Sequence, residues 1–361
     1  MKSLILGIES SCDECSASVV LHENTSKSSR LEVLSLATYS QIPLHQPYGG
    51  VVPEVASRNH LESIQPMIDQ AIREAKINWQ DLSAVAVTNR PGLVGALLVG
   101  VSTAKSLAYA LQKPLIPVHH LEGHIASIFL DAPAPKIEFP MLVAVVSGGH
   151  TNLYVMKTYP ELWPLDFLSR SCVARSRDDA AGEAFDKIAK LLGFSYPGGA
   201  WIDRKAIEGK GKINAFAFPR ALPQKSVPDF SFSGLKTAAA LQAEKLRKSG
   251  ELESRLSDFC ASVQEAIVDV LILKIGLAIQ NHGCQSLAIV GGVSANSRLR
   301  ARLVEDGPRI GLQTEPIFPQ MKYATDNAAM IAAVGAYRFR QGHALQGEKL
   351  LTISAHAHPE T

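Results

Sequence analysis

The sequence has few cysteines, and their spacing supports neither a disulfide framework nor a zinc finger. The 361 residues contain five of them, Cys12, Cys15, Cys172, Cys260 and Cys284. Five is an odd number, and the one Cys-x-x-Cys pair is not followed by a second pair at zinc-binding spacing. We therefore expect free thiols in a reducing compartment.

The sequence also lacks a long apolar run near its first residue. The apolar residues 4–8 are followed at once by Glu9 and Asp13. We therefore expect neither a secretory signal nor a membrane-spanning segment there. Together with the free thiols, this pattern predicts a cytoplasmic protein without membrane contact.

Charge of one sign is not in excess either, because the formal net charge is only +2. The overall charge therefore says little about nucleic-acid binding. Residues 204–248 hold a local excess of Lys and Arg, which could bind phosphates or simply form a solvated face. On its own, the solvated face is the simpler interpretation.

The chain does have enough apolar residues and enough length for two domains. Hydrophobic residues make up 46% of its 361 residues and charged residues 19%, as is typical of a globular protein. Residues 4–21 and 141–156 both read as a pair of strands joined by a short polar turn. Each half also contains a helix, a strand, a Gly-containing turn and a further helix. We therefore predict an α/β protein with two similar lobes that could hold a nucleotide between them.

The histidine-rich stretch at residues 119–124 is the clearest candidate site. His120 and His124 are four residues apart in a segment with helical spacing, so their rings would share one helix face. Two stacked imidazoles can bind a metal, although the same spacing fits an exposed polar turn. Glu122 is not adjacent to either His, unlike the base of an H-E-x-x-H protease, and it would point to the far side of the helix. The pattern favours a metal that holds a ligand over one that activates water.

Asp326 is a candidate third ligand. It stands just before an apolar helical pattern in Thr325-Asp326-Asn327, where the simplest role of its carboxylate is to cap the helix. Two His and one carboxylate form a known arrangement that commonly binds Fe(II). The spacing alone does not bring Asp326 to the two histidines.

Several motifs together carry a family resemblance. In order along the chain they are GIESSCDE, PGLVGALLVG, HHLEGHIAS, VSGGHT, DDAAGEAFDKIAKLLG, DFSFSGLKTA, GGVSAN and TDNAAMIA. The chain resembles the TsaD family of tRNA N6-adenosine threonylcarbamoyltransferases over about residues 4–340. The resemblance implies the actin/hexokinase-like ATPase (ASKHA) fold, with two duplicated lobes around a central nucleotide cleft. It also implies transfer of the threonylcarbamoyl group from threonylcarbamoyl-AMP to N6 of the adenosine 3′ of the anticodon, in tRNAs that read ANN codons.

We combine this resemblance with the repeat to predict domain boundaries. The N-terminal lobe would cover residues 1–118, and a helix at about 328–345 would pack back on it. The C-terminal lobe, with the metal and adenylate sites, would cover residues 119–327. Residues 346–361 would form a tail.

The resemblance also implies site residues. One divalent metal, expected to be Fe²⁺ with Zn²⁺ or Mg²⁺ as alternatives, would be bound by His120, His124 and Asp326. The substrate would be contacted by Val145, Val146, Ser147, Gly148, Gly149, Asp186, Gly199, Asp203 and Asn296. No general base is evident, and His150 is the one candidate catalytic side chain. The chain departs from the family pattern at Arg90, beside a ligand-facing turn, and at Cys15.

The implied partners are tRNA and, in a bacterium, TsaB and TsaE, with TsaC supplying the adenylate. A homodimer or heterodimer could form through helices of the N-terminal lobe, at residues 125–130 and in the apolar helix from Gly95. Three other functions remain open: an ATPase or small-molecule kinase of the same fold, a metalloprotease, and a nucleotide-binding scaffold without its own activity. The position of Glu122 speaks against the protease.

Overall fold

The computed structural model describes residues 2–24, 29–131, 136–224 and 226–358. The strands are β1 Lys2–Glu9, β2 Glu14–Asn24, β3 Ser29–Ser40, β4 Ala84–Arg90, β5 Leu115–His119, β6 Met141–Val146, β7 Thr151–Met156, β8 Cys172–Arg175 and β9 Ser286–Val290. The α-helices are α1 Ile42–His45, α2 Pro53–Ala75, α3 Val94–Leu111, α4 His120–Ala126, α5 Phe167–Ser171, α6 Ala181–Leu191, α7 Gly198–Glu208, α8 Ser233–Lys248, α9 Leu256–His282, α10 Ser297–Ile310 and α11 Ala328–Arg340.

The chain folds into two compact units. The first unit contains Met1–Lys136, Tyr159–Leu165 and Pro319–Thr361, and the second contains Ile137–Thr158 and Asp166–Phe318. This division differs from the predicted boundaries at residues 118 and 327. Residues 119–136 stay with the first unit because α4 continues directly from β5 and packs on α11.

The first unit is built on a mixed sheet with strand order β3-β2-β1-β4-β5. β1 pairs antiparallel with β2 and parallel with β4, so that Ile8 lies opposite both Ala17 and Val87. Leu6 and Ile8 pack in one core with side chains of α2 and α3. Because side chains alternate along a strand, Ile5 and Gly7 face the opposite side, where α11 packs.

Glycines allow α11 to approach this sheet closely. A Cβ atom on Gly7 would lie 2.2 Å from the Ala328 carbonyl oxygen, and one on Gly335 would lie 2.5 Å from the Ala86 Cβ. The predicted packing of the C-terminal helix on the N-terminal lobe therefore has a steric basis. The expected tail packs on the other face of the sheet, because Leu350 and Ile353 are buried in the core that Leu6 and Ile8 form with α2 and α3.

The second unit repeats the central part of this plan. Its sheet has the order β8-β7-β6-β9, and β6 pairs antiparallel with β7 and parallel with β9. Helices α6 to α10 supply its apolar core, in which α9 is the most deeply buried helix. β1 and β6 thus have the same neighbours: a hairpin partner on one side and a parallel strand on the other. The predicted α/β fold with duplicated lobes is confirmed by this repeat.

One helix among the described residues, α3, is long and apolar enough to cross a membrane. Length and composition are weak evidence on their own, because core helices meet the same criterion. Only 39% of its most apolar window is buried, so α3 presents apolar side chains on the outside of the first unit.

Candidate metal centre and substrate turns

The predicted histidine helix is present as α4. It begins where β5 ends, and the His119 side chain caps it by accepting a hydrogen bond from the Leu121 amide at 3.2 Å. All seven of its residues are buried. His124 is 0% exposed and His120 only 5%, so the alternative of an exposed polar turn is wrong.

Asp326 meets both histidines. Its Oδ1 atom lies 3.4 Å from His120 Nε2 and 3.2 Å from His124 Nε2, and the three potential ligand atoms all lie within 4.8 Å of one another. Asp326 does not cap α11, because the cap is Asn327, whose side chain accepts from the Met330 amide. The capping interpretation of Asp326 was therefore wrong.

A close helix contact brings the carboxylate to the imidazoles. α11 packs against α4, and a Cβ atom on Gly123 would lie 2.9 Å from Ile331 Cδ1 and 3.0 Å from Met330 Cγ. A larger residue at Gly123 would have to displace these two side chains of α11. The glycine between His120 and His124 therefore has a packing role in the site.

Glu9, which the sequence reasoning missed, completes the surroundings of His120. It is fully buried at the end of β1, and its Oε2 lies 3.0 Å from His120 Nδ1. Glu9 also accepts hydrogen bonds from the Thr88 hydroxyl at 2.7 Å and the Ser11 amide at 2.6 Å. A carboxylate on the second ring nitrogen orients an imidazole and makes it a better metal ligand. The available signal was an acid at the end of an otherwise buried strand, next to a Ser-Ser turn.

The charges of the cluster support one another. Burial lowers the pKa of His120, but the carboxylates of Asp326 and Glu9 raise it more, so it is held well above its usual range. Burial likewise raises the pKa of Asp326, yet the two imidazoles outweigh it and hold this pKa well below its usual range. Without a metal, the proton on His120 supplies the positive charge that the two carboxylates need.

The buried and poorly satisfied ring of His124 is the feature that indicates a metal. Among the described residues, neither of its ring nitrogens finds a partner with hydrogen-bond geometry, although Asp326 Oδ1 lies 3.2 Å from Nε2. A buried polar atom without a partner is costly. An ion between the Nε2 atoms and the carboxylate would satisfy it, and this donor set suits Fe²⁺ or Zn²⁺ better than the oxygen-preferring Mg²⁺. The residues present therefore fit a divalent metal.

Glu122 points away from this cluster, as predicted. Its Oε1 lies 2.8 Å from Arg338 Nη2, and both side chains are buried. Burial raises the pKa of Glu122 to about 7, although the charge of Arg338 acts in the other direction. Because its carboxylate is held by Arg338 on the far side of α4, Glu122 does not take the position of the base in a zinc protease.

The expected substrate residues lie in the second unit. Val145 and Val146 are buried in β6, and Ser147, Gly148 and Gly149 form the turn after it. The Ser147 carbonyl accepts from the Gly182 amide at the start of α6, at 3.2 Å. A Cβ atom on Gly182 would lie 2.5 Å from this carbonyl oxygen. Glycine is therefore needed where the turn meets α6.

The other four expected substrate residues hold the protein's own backbone and side chains. Asp186 Oδ1 accepts from the amides of Gly198 and Gly199, at 2.7 and 3.3 Å, where α7 begins. Asp203 accepts from the amide and the hydroxyl of Ser297, at 3.2 and 2.6 Å.

Asn296 caps α10 by accepting from the Leu299 amide at 2.9 Å, and it donates to Gln264 Oε1 at 3.0 Å. Asp203 therefore lies beside the Asn296 turn, and Asp186 lies beside Gly199. Ser297 and Gln264, the partners of Asp203 and Asn296, were not among the residues expected from the sequence.

The remaining candidates have simpler surroundings. His150 ends the glycine turn, where its amide donates to Ser147 Oγ at 3.2 Å. Cys15 is buried in β2, and burial raises its thiol pKa to about 11. All five cysteines are free, as predicted.

Arg90 ends β4, and the turn that follows it is held by the end of the chain. The Asn89 carbonyl accepts from the His356 amide at 2.9 Å, and the Gly92 amide donates to the Ala357 carbonyl at 3.3 Å. Residues 356 and 357 thus support the turn in which the chain departs from the family pattern.

Several basic side chains of residues 204–248 are paired with acids. Arg204 pairs with Glu208 at 2.5 Å, Lys236 with Asp179 at 2.8 Å and Lys248 with Glu244 at 2.6 Å. These pairs favour the interpretation of a solvated face.

A family profile and several named relatives match most of this chain. The family profile described as TsaD, tRNA N6-adenosine threonylcarbamoyltransferase, matches residues 32–333. Relatives with that name include one from Listeria innocua, 46% identical over 340 residues, which are 94% of this chain and 92% of the relative. Another, from Magnetococcus marinus, is 47% identical over 344 residues, which are 95% of this chain and 94% of the relative.

A solved structure shows the fold alone. Component A of (R)-2-hydroxyglutaryl-CoA dehydratase from Acidaminococcus fermentans is 13% identical, with a TM-score of 0.50 over 94% of this chain and 99% of that one. The profile match and the close relatives show the family as well as the fold. The chain belongs to the tRNA N6-adenosine threonylcarbamoyltransferase family.

Proposed function

We propose that this chain transfers a threonylcarbamoyl group from threonylcarbamoyl-AMP to N6 of the adenosine 3′ of the anticodon, in tRNAs that read ANN codons. The names of its close relatives support the reaction. The structural observation that carries the proposal is the buried cluster of His120, His124 and Asp326. Its donors suit a metal, and its one neighbouring helical glutamate is turned away. The free cysteines support a cytoplasmic location.

The chemistry requires positioning more than a strong base. The N6 amine attacks the carbamoyl carbon, a C–N bond forms, the bond to the phosphate oxygen breaks, and AMP leaves while N6 loses a proton. The amine is a poor nucleophile, whereas the mixed anhydride already has a good leaving group. The protein must therefore align the reactants and stabilise the charge on phosphate. The backbone amides of the turn at Gly148 and Gly149 would stabilise such charge by donating hydrogen bonds to the phosphate oxygens.

We further propose that His120, His124 and Asp326 bind one divalent metal, with Fe²⁺ as the expected ion. A metal bound there would supply positive charge for phosphate oxygens. Glu9 orients the His120 ring through Nδ1, so that Nε2 faces the ion. Elemental analysis of freshly purified protein tests this assignment. A molar ratio of transition metal to protein far below one would contradict it.

Reconstitution tests the reaction itself. The purified protein would be incubated with TsaB, TsaE, TsaC, threonine, bicarbonate, ATP and unmodified tRNA, and digested nucleosides would be analysed by mass spectrometry. We expect modified adenosine with the wild type and none with His120→Ala. Release of ADP without modified tRNA would favour the ATPase or kinase, and cleavage of an added protein would favour the protease.

We also propose that TsaB docks on the outer face of α2 and α3. Val94, Leu98 and Tyr109 form an exposed stripe on α3, with exposed fractions of 50, 50 and 60%, and Leu61 adds a further apolar side chain on α2. An apolar stripe of this kind favours burial against another protein. The predicted contribution of residues 125–130 is wrong, because all of them are buried.

A charge in the stripe tests this docking face. Leu98→Glu should weaken binding of TsaB at least about tenfold, because it buries a charge in an apolar interface, as measured by calorimetry. Leu162→Glu is the matched control, since Leu162 is also an exposed leucine of the first unit but lies away from α2 and α3. Equal affinity for the wild type and Leu98→Glu would overturn the assignment.

A further inference from the structure

The far side of α4 holds a buried ion pair that the proposed reaction does not use. Glu122 Oε1 and Arg338 Nη2 are 2.8 Å apart, and the side chains of both are only 6% exposed. Glu122 belongs to the helix with both histidines, and Arg338 belongs to the helix that follows Asp326. We propose that this pair positions the two helices so that their three ligands converge on one metal ion. The inference rests on the metal-binding part of the proposed function.

The contacts of α4 are spread along the length of α11. Before α11 begins, Asp326 contacts both imidazoles. In its first turn, Met330 and Ile331 contact Gly123. Near its end, Arg338 reaches Glu122. Contacts at three separate levels determine both the rotation and the translation of α4 relative to α11.

Arg338 is itself held in place from a second direction. Its guanidinium donates to the carbonyls of Trp163 and Pro164, at 3.3 and 3.2 Å. One turn later, the Gln341 side chain donates to the carbonyls of Glu161 and Trp163, at 3.0 and 3.1 Å. These bonds fix the position of the Arg338 guanidinium. The Glu122 carboxylate must therefore lie next to that position to form the ion pair.

The chemistry of the pair suits a positioning role better than a stabilising one. Removing two charges from water costs about as much as their attraction returns, so an apolar pair of similar volume would hold the helices as well or better. A buried ion pair is favourable only in a narrow range of relative positions of its two side chains. An apolar contact is favourable over a wider range. α4 has only seven residues, so a small rotation would move both imidazoles. Metal ligands tolerate a misplacement of only about half an ångström.

A double-mutant cycle tests the inference. Glu122→Met, Arg338→Met and the double variant would be compared with the wild type for the melting temperature of the metal-free protein and for Zn²⁺ affinity, using a chromophoric competing chelator. Each single variant leaves a buried charge alone and should melt earlier. The double variant should recover the melting temperature of the wild type. It should nevertheless bind Zn²⁺ about 10-fold to 100-fold more weakly, which is the usual effect of mutating residues that orient metal ligands.

The double variant keeps the inference falsifiable even if the single variants fail to fold. Zn²⁺ affinity equal to that of the wild type in a folded double variant would overturn the positioning role. Arg302→Met is the matched control, because Arg302 is a largely buried arginine that pairs with Glu265, Asp269 and Asp306 in the second unit. It should lower the melting temperature and leave Zn²⁺ affinity unchanged. A wild type that binds no Zn²⁺ would instead overturn the metal-binding part of the proposed function.

Discussion

The two groups of site residues differ in whether their polar atoms already have partners within the chain. In the first unit, His124 is fully buried, and neither ring nitrogen has a hydrogen bond among the described residues. In the second unit, Asp186 and Asp203 already accept hydrogen bonds from backbone amides and a hydroxyl. The first group therefore contains a buried polar atom that a metal would satisfy, whereas the second group holds turns of the protein itself.

This difference predicts different responses to mutation. A residue whose only partner is an added ion should matter for stability when the ion is present and much less when it is not. A residue that holds a helix start should matter at all times. Three substitutions test the contrast, and they are taken from the largest expected effect to the smallest.

His124→Ala should cause the largest loss, because it removes a proposed ligand whose ring nitrogens have no well-formed hydrogen bond among the described residues. At a metal concentration of about 100 times the dissociation constant, the wild type should gain about 2.7 kcal/mol of unfolding free energy. The variant should gain almost none, and transfer to tRNA should fall at least about 100-fold if the metal holds the donor. Chemical denaturation with and without Zn²⁺ measures the first effect.

His22→Ala is the control for this experiment. His22 is also buried in the first unit, but it bonds the Ser29 hydroxyl at 3.0 Å and packs on Tyr337. The His22→Ala substitution should lower the free energy of unfolding by the same amount with and without Zn²⁺. A metal-dependent gain that survives in His124→Ala would contradict the assignment of this histidine as a ligand.

Asp186→Ala should have a smaller effect that does not depend on any ligand. The change removes a carboxylate that accepts from the Gly198 and Gly199 amides. Hydrogen bonds to charged groups are each worth about 1.5–3 kcal/mol. The bond from Gly198, at 2.7 Å, is much shorter than the one from Gly199, at 3.3 Å. We therefore count mainly the first bond and expect the free energy of unfolding to fall by about 1.5–3 kcal/mol in the absence of nucleotide, as measured by denaturant titration. Asp186→Asn, which can still accept, should lose less. Unchanged stability together with weaker adenylate binding would show instead that Asp186 acts mainly on the ligand and not on the start of α7.

Asp131→Asn should have the smallest effect, visible as a change in acid sensitivity. Burial raises the pKa of Asp131, but hydrogen bonds from Lys322, Tyr323 and the Val33 amide outweigh it and lower the pKa below its ordinary value of 3.8. A lowered pKa in the folded state means that the carboxylate stabilises the fold above pH 3.8, and that this contribution is lost as the pH falls through the lowered value. The Asn variant should lack this loss in thermal unfolding between about pH 5 and pH 2.

Salt separates this carboxylate from a similar one in the second unit. Lys322, the cationic partner of Asp131, is 54% exposed, so added salt should weaken the contribution. Asp178 also has a lowered pKa, but its bonds come from the hydroxyls of Ser231 and Ser233 and the Phe232 amide. Asp178→Asn should therefore have an effect that salt changes much less. Equal salt sensitivity at the two positions would contradict this distinction.

Some features of the site follow directly from the sequence. The four-residue spacing of His120 and His124 places both rings on one face of α4, and Glu122 must then lie on another. The alternation of strands and Gly-containing turns likewise predicts the repeated hairpins at β1–β2 and β6–β7. These are local consequences of helix and strand periodicity, which act between residues close together in the chain.

Other features depend on packing between distant segments. Asp326 and Arg338 reach α4 because α11 crosses the first sheet where Gly7 and Gly335 allow close approach. Glu9 reaches His120 from β1 of the same sheet. The sequence placed a domain boundary near residue 118, whereas the contacts keep α4 with the sheet that α11 covers. Sequence periodicity alone determined which side chains share a face of α4. Tertiary packing decided which distant carboxylates and which arginine meet that helix, because such contacts depend on how whole elements fit together.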